Sequence, residues 1–311
     1  MTYQELFQSL RQVYDEREAK AVAGYVLDVR FHLTLTDIAC GGLERLPASS
    51  QAELQAIAQR LLTGEPVQYV LGVADFGPRQ FQVSPHVLIP RPETYELCQW
   101  ILQESLRLKE LRTEPLNILD IGTGSGCIAC TLAAELPEAQ VTAWDVDEEA
   151  LCVARENARQ LGVSVDFEQQ DMLQIHAGEV LGTITYPKNR WDIIVSNPPY
   201  IAESERASME RNVLDYEPEE ALFVPDDDPL LFYRAIAHYA HQALKPFGEL
   251  YFEINPRFAQ RMLQDEDFIF RGDWGGISLR EDQFGRQRFL KTDISWRKQP
   301  NGAYYPLPKY S

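Results

Sequence analysis

The alternation of apolar runs with helical stretches from Leu116 onward constrains the fold more than any other feature of the chain. "LNILDIG", "QVTAWDV", "VDFEQQDM", "WDIIVSN" and "GELYFEI" read as strands. "GCIACTLAAEL", "EEALCVARENARQLG" and "LLFYRAIAHYAHQAL" read as the intervening helices. This rhythm predicts the α/β class, with βαβ units in a doubly wound, mostly parallel sheet. The stretch "FIFRGDWGGISLREDQFGRQRFLKT" adds two further strands, expected to be antiparallel, for seven in all. The stretch 174–190 before the fourth strand reads as a surface insertion, and the tail from Trp296 as peripheral.

The sheet is preceded by two units of different character. Residues 1–63 predict a small helical domain, with Leu6, Leu10, Val13 and Tyr14 on one face. Leu54, Ile57, Ala58, Leu61 and Leu62 form a second face, and "AKAVAGYVLDVRFHL" is a third helix. No catalytic cluster falls in this segment. Residues 64–90 predict a connector, with alternation in "QYVLG" and "QFQVS" around "DFGPR" suggesting a β-hairpin. "RPET" at Arg91–Thr94 then opens a helix, and residues 91–311 form the third unit.

Composition narrows the function classes. A net charge of −18 argues against a large nucleic-acid interface, because neutralising phosphates needs a basic face. No apolar run approaches the roughly 20 residues of a membrane span. The acidic, amphipathic N-terminus is unlike a secretory signal, and five cysteines without framework spacing fit a reducing compartment. The expectation is a cytoplasmic protein. Cys127 and Cys130 form a C-x-x-C with no second pair, and none of the histidines forms a metal motif, so no metal is expected.

"LDIGTGSG" (Leu119–Gly126) leaves a strand and enters a helix, the context that gives a glycine loop meaning. Gly122, Gly124 and Gly126 permit a tight turn and close backbone approach, with Thr123 and Ser125 between them. Asp145, roughly twenty residues on, ends the next strand, placed to accept from ribose hydroxyls. A dinucleotide fingerprint would need glycine where Cys127 stands. The acid Asp120 beside the loop suits an ammonium better than a pyrophosphate. S-adenosylmethionine, with an ammonium, a sulfonium and a ribose, therefore fits better than NAD. Asp171, ending the third strand, is a candidate acceptor for an adenine amine, with Met172 packing on the ring; a turn cap is the plainer reading, but an acid at each of three successive strand ends, Asp120, Asp145 and Asp171, favours the ligand.

"SNPPY" (Ser196–Tyr200) follows the fourth strand. Two prolines stiffen the backbone and remove N–H donors, so this is either a strand terminator or a preformed acceptor site. With the loop and Asp145, "NPPY" makes the chain resemble class I S-adenosylmethionine-dependent methyltransferases. "VLIPRPETYEL" and "VLDYEPEEAL" narrow the resemblance to the HemK/PrmC family, the glutamine N5-methyltransferases acting on peptide chain release factors. Tyr95 stands where that family often has Glu, and Met172 where relatives often carry a larger ring-stacking residue.

The resemblance implies that Gly122–Gly126, Asp145, Met172 and Asn197 line the cofactor, and that Asn197, Pro198, Pro199 and Tyr200 hold the glutamine. It implies a substrate in the Gly-Gly-Gln motif of a release factor, and the helical domain, otherwise without assigned chemistry, is the candidate to dock that factor. An amide nitrogen is a poor nucleophile because its lone pair is delocalised. The Asn197 side-chain oxygen and the Pro198 carbonyl would each accept one N–H and point the lone pair at the methyl donor, with Tyr200 stacked on the amide. Nucleic-acid base methyltransferases share "NPPY", so an exocyclic adenine or guanine amine, or a glutamine of a ribosomal protein, is the alternative substrate.

Overall fold

The computed structural model describes residues 1–180, 188–264, 274, 276–294, 296–298 and 304–306. Five helices open the chain: α1 (Tyr3–Leu10), α2 (Glu16–Phe31), α3 (Leu35–Ala39), α4 (Ala48–Leu62) and α5 (Val67–Leu71). The side chains of Thr2, Asp15 and Thr34 each accept from the N–H three residues on, so the first three helices start where their caps stand. Leu6, Leu10, Val26, Leu27, Leu54, Ile57 and Leu61 form a core of their own. Val13 is not part of that face. It lies beyond the end of α1 and is 47% exposed.

"QYVLG" is helix α5 rather than strand. Pro66 precedes its first turn and Gly72, at φ +74°, ends it. Short apolar runs read equally well at either period, and here the flanking proline and glycine decide. The hairpin follows as β1 (Val73–Phe76) and β2 (Arg79–Gln82), paired antiparallel. Its turn glycine, Gly77, has φ +57°, and a Cβ there would come within 2.3 Å of the Tyr95 ring. Tyr95 thus packs on the hairpin turn, edge-on to Phe76.

Helix α6 (Pro92–Glu110) leads into β3 (Asn117–Ile121), α7 (Cys127–Glu135), β4 (Gln140–Asp145), α8 (Glu148–Leu161), β5 (Asp166–Gln169), α9 (Met172–Val180) and β6 (Trp191–Ser196). A short parallel pair follows, β7 (Ile201–Ala202) with β8 (Phe223–Val224), enclosing α10 (Arg211–Tyr216). Then come α11 (Leu231–Ala243), β9 (Leu244–Glu253), α12 (Ala259–Met262), β10 (Ser278–Glu281) and β11 (Gln287–Asp293). The main sheet has seven strands in the order β10-β11-β9-β6-β3-β4-β5, parallel except for the β10 and β11 pairings. Part of the expected insertion is helix α9, and residues 181–187 lie outside the described residues. The first part of the "FIFRGDW" stretch also lies outside them. In the tail, β12 (Trp296–Lys298) pairs with β13 (Tyr304–Pro306), and its other residues from Gln299 onward are not described.

The sheet separates two cores, and strand period assigns residues to them. Leu119, Ile121, Ile194, Leu250 and Phe252 face α9 and α11, while Ile118, Ile193, Val195 and Tyr251 face α6 and α7. Among the described residues no helix is long and apolar enough to cross a membrane.

Candidate active site

The strand order reverses between β3 and β6, the place where open α/β sheets carry their ligand crevice. Their ends are in register: Ile121 pairs with Ser196, whose hydroxyl donates to the Ile121 carbonyl at 2.6 Å. The glycine loop after β3 and the Asn197–Pro199 segment after β6 therefore open side by side. They line one cleft of about 1160 Å³, its mouth included, with Asp145, Asp147, Asp171, Met172, Thr94 and Arg91.

Four of the five N–H groups of Gly122–Gly126 are spent within the protein. The N–H groups of Gly122 and Thr123 both donate to the Trp144 carbonyl, at 2.8 and 2.9 Å, and that of Gly126 donates to the Thr123 carbonyl. The Gly124 N–H donates to Asp145 Oδ2 at 2.8 Å. An anion nest needs such donors turned outward, so this loop does not favour a pyrophosphate. Gly122 and Gly124 have positive φ, and nothing lies within 4 Å of where their Cβ atoms would be. Gly126 serves packing instead, since its Cβ would meet Ala154 of α8 at 3.0 Å. Asn157 of α8 ties the loop to the hairpin, donating to the carbonyls of Ser125 and Gln82.

Two acids sit differently from the sequence expectation. Asp120 faces α7, on the same side of β3 as Ile118, and is fully buried. Its Oδ2 accepts from the Thr123 hydroxyl at 2.7 Å and the Ala129 N–H at 3.2 Å, and it is not among the cleft residues. Through Oδ2 it shapes the loop from beneath, while its Oδ1 is buried without a hydrogen-bond partner. Asp171 lines the cleft, yet its Oδ1 caps α9, accepting from the N–H groups of Leu173 and Gln174. Asp145 is at the cleft wall, its other oxygen held by the Asp147 N–H, and burial raises its pKa.

Burial pushes the Asp120 carboxyl up to about 7. A carboxyl that binds its proton more tightly in the fold than in the unfolded chain costs stability as pH rises through that interval. Relative to Asp120→Asn, the wild type is expected to lose on the order of 2–4 kcal/mol between about pH 4 and about pH 8. Urea melts of both proteins across that range check this. A pH-independent difference between them would contradict it.

Tyr200 is also placed otherwise than expected. Its ring packs against the core beneath α11, it is absent from the cleft wall, and its hydroxyl donates to Glu253 Oε1 at 3.0 Å. Glu253 Oε2 accepts from the Thr94 hydroxyl at 2.6 Å, and Thr94 Oγ1 accepts from Asn197 Nδ2 at 3.3 Å. Above the cleft, Arg91 donates to Glu217 Oε1 at 2.6 Å and the Ile89 N–H to Glu217 Oε2 at 3.2 Å. That ion pair joins the "PRPET" segment to the "YEPEEAL" segment, and Pro218, Glu220 and Ala221 complete the wall.

Residues 2–72 match the PrmC N-terminal domain and residues 103–215 the Methyltransferase small domain. The chain is 45% identical over 286 residues to a release factor glutamine methyltransferase of Bacteroides thetaiotaomicron, spanning 92% of this chain and 96% of that protein. The chain belongs to the release factor glutamine methyltransferase family. A second member, from Flavobacterium psychrophilum, is 37% identical over 288 residues, with 92% and 96% of the two chains covered. Among solved structures, the hMettl16 catalytic domain in complex with MAT2A 3'UTR hairpin 6 matches with a TM-score of 0.50 at 17% identity, covering 78% of this chain and 81% of that one. At that identity it bears on the fold alone.

The two segments that carried the family resemblance in the sequence are thus the two that the Arg91–Glu217 pair holds together. Thr94 and Glu253 were not foreseen as site residues. A usable signal existed for Glu253: in "GELYFEI", Glu249 and Glu253 share a face with Tyr251 on a central strand. Acids on a buried face need partners. Among the described residues no group of three or more His, Cys, Asp or Glu could hold a metal ion, and Cys127 and Cys130 are free and buried.

Proposed function

We propose that this enzyme methylates the side-chain amide nitrogen, N5, of the glutamine in the Gly-Gly-Gln motif of peptide chain release factors, with S-adenosyl-L-methionine as methyl donor. Residues 1–63 serve as the docking domain, 64–90 as the connector and 91–311 as the catalytic domain. A partner at work in translation implies a cytoplasmic enzyme.

The cofactor reading rests on the cleft's chemistry. The loop turns no row of amides outward for phosphates, while the open space above Gly122 and Gly124 accepts a ligand at close range. Asp145 offers a carboxylate for ribose hydroxyls, and Asp171 and Met172 flank the place for a base. When bound, S-adenosyl-L-methionine supplies a sulfonium-activated methyl group. Asp145→Ala is expected to weaken its binding by about 1–3 kcal/mol, the range for lost hydrogen bonds to a charged group. Titration calorimetry measures this, and unchanged affinity would remove Asp145 from the site.

The observation that carries the substrate reading is the anchored carboxamide of Asn197. Its Nδ2 donates to Thr94, which leaves Oδ1 to accept from a substrate NH2, with the carbonyl of the cleft residue Pro198 as the second acceptor. Two acceptors fixed by prolines hold both amide hydrogens and favour a pyramidal nitrogen. Nitrogen gains positive charge as it is methylated, so these dipoles act most strongly in the transition state. A glutamine between glycines reaches such a cleft without neighbouring side chains in the way. The rival acceptor, an exocyclic base amine, would need a basic groove, and the net charge is −18. The test offers enzyme and labelled cofactor to intact release factor, to the factor with that glutamine changed to alanine, and to duplex DNA. Labelling of the intact factor alone is expected; equal labelling of the alanine variant, or preference for DNA, would refute this substrate.

A further inference from the structure

The hydrogen-bond chain behind Asn197 has only one self-consistent polarity while Glu253 is ionised. A carboxylate accepts and cannot donate. Both hydroxyls that meet it, from Thr94 at 2.6 Å and Tyr200 at 3.0 Å, must therefore give it their hydrogens. Thr94 has one hydroxyl hydrogen, so towards Asn197 it can only accept. The Asn197 group facing Thr94 is then NH2, and the carboxamide oxygen is turned to the cleft. A proton on Glu253 undoes this logic. The acid could donate to Thr94, Thr94 could donate to Asn197, and the carboxamide could flip to present NH2 to the cleft. An NH2 group there would repel the hydrogens of a substrate amide instead of accepting them.

We propose that Glu253 is a positioning residue, which through the Thr94 hydroxyl holds the Asn197 carboxamide with Oδ1 towards the substrate and Nδ2 away from it. The inference rests on reading the cleft as an amide-methylating site. Glu253 is 1% exposed at the end of a central strand, where a structural role alone would be met as well by an apolar residue. Its two oxygens are instead matched to two hydroxyls, one of them touching a cleft residue that does the accepting.

The charged and titratable groups around Glu253 come from every side. Glu93 and Cys98 lie on α6, Tyr200 on the segment after β6, Tyr233 on α11 and Arg288 on β11. The Tyr233 hydroxyl donates to the Glu253 backbone carbonyl at 3.1 Å. Burial raises the Glu253 pKa; the Thr94 and Tyr200 hydrogen bonds and Arg288 oppose that, and Glu93 adds to it. The ionised form that orients Asn197 is present above this raised pKa and lost as pH falls through it. Methyl transfer should therefore show an acid limb set by Glu253.

The experiment uses the full-length enzyme with cofactor and intact release factor. E253Q can donate to Thr94 and so permits the flipped carboxamide. It is expected to lower kcat by about 10- to 100-fold, as loss of a fixed dipole does, with KM for the factor and cofactor affinity unchanged. The acid limb of the wild-type pH profile should vanish in E253Q. T94V, which keeps the shape and removes the relay, should fall similarly, and T94S should recover most of the loss. In the ligand-free enzyme, the Asn197 side-chain NH2 resonances should shift with the same pKa as the acid limb, and not in E253Q. Thermal melts identify any variant that fails to fold, and the resonance titration of the wild type tests the proposal without one. Wild-type rates in E253Q and T94V, an unchanged acid limb, or a proportionate loss of cofactor affinity would overturn the proposal while leaving the substrate reading intact. A wild-type enzyme that labels no release factor would overturn both.

Discussion

Asn197→Ala is expected to lower kcat for release factor methylation by about 10²-fold or more, the scale for removing one preorganised dipole from a transition state. The carboxamide is one of two acceptors for the substrate's NH2, and the chain around it allows no substitute. Pro198 and Pro199 offer carbonyls but no donors or side-chain acceptors. Thr94 has its hydrogen on Glu253, and Tyr200 is turned into the core. Cofactor affinity should fall less than the rate, because the glycine loop and Asp145 are untouched. The fold should hold, since Asn197 is only half-buried and its one side-chain bond to Thr94 is 3.3 Å long. Single-turnover transfer, measured beside a thermal melt and a cofactor titration, separates these effects. Near-wild-type transfer from a folded variant would refute the acceptor role.

Arg91→Ala should give the largest loss of stability among single changes at the cleft. The Glu217 side chain is 2% exposed, while Arg91 is 34% exposed. Removing Arg91 strands a buried carboxylate with the Ile89 N–H as its remaining partner. Breaking a wholly buried pair costs about 3–5 kcal/mol; solvent reaches the Arg91 end, so about 2–3 kcal/mol is expected here. Adding Glu217→Gln should return part of that loss, because a neutral amide tolerates the missing partner better than a charge does. The sign of this double-mutant coupling is the stringent check. Additive losses would mean that the pair does not hold the two segments together. Because Pro218, Glu220 and Ala221 follow Glu217 along the wall, the single variant should also raise KM for the factor.

Legibility differed between elements for physical reasons. The central strands and their helices were readable because each is long enough to display its period, and the glycine loop because strand, turn and helix occur in sequence. "QYVLG" misled because five residues do not distinguish a period of 2 from 3.6, and α5 depends on Pro66 before it and Gly72 after it. Val13 shares the helical phase of Leu6 and Leu10 in sequence, but α1 ends at Leu10, before that phase reaches it. Asp120 adjoins the loop, and adjacency in the chain alone makes it a ligand candidate. Its parity with Ile118 directs it under the loop to Ala129 instead.

The amino-acid sequence by itself determined the α/β architecture, the glycine loop after β3 and the Asn197–Pro199 segment after β6, and the family, since these follow from local period and from motifs contiguous in the chain. Tertiary structure alone decided which of the motif residues face the cleft. Arg91 and Glu217 stand 126 positions apart, and Thr94 and Glu253 stand 159 apart. No local signal couples such positions; they meet because α6 and β9 pack on one face and the β7–β8 pair folds the Tyr216–Leu222 segment back over the site. The inward turn of Tyr200 has the same origin. A phenol beside a buried carboxylate gains a charge-assisted hydrogen bond that it would not have against a flat amide in solvent, and only the packed sheet brings Glu253 to it.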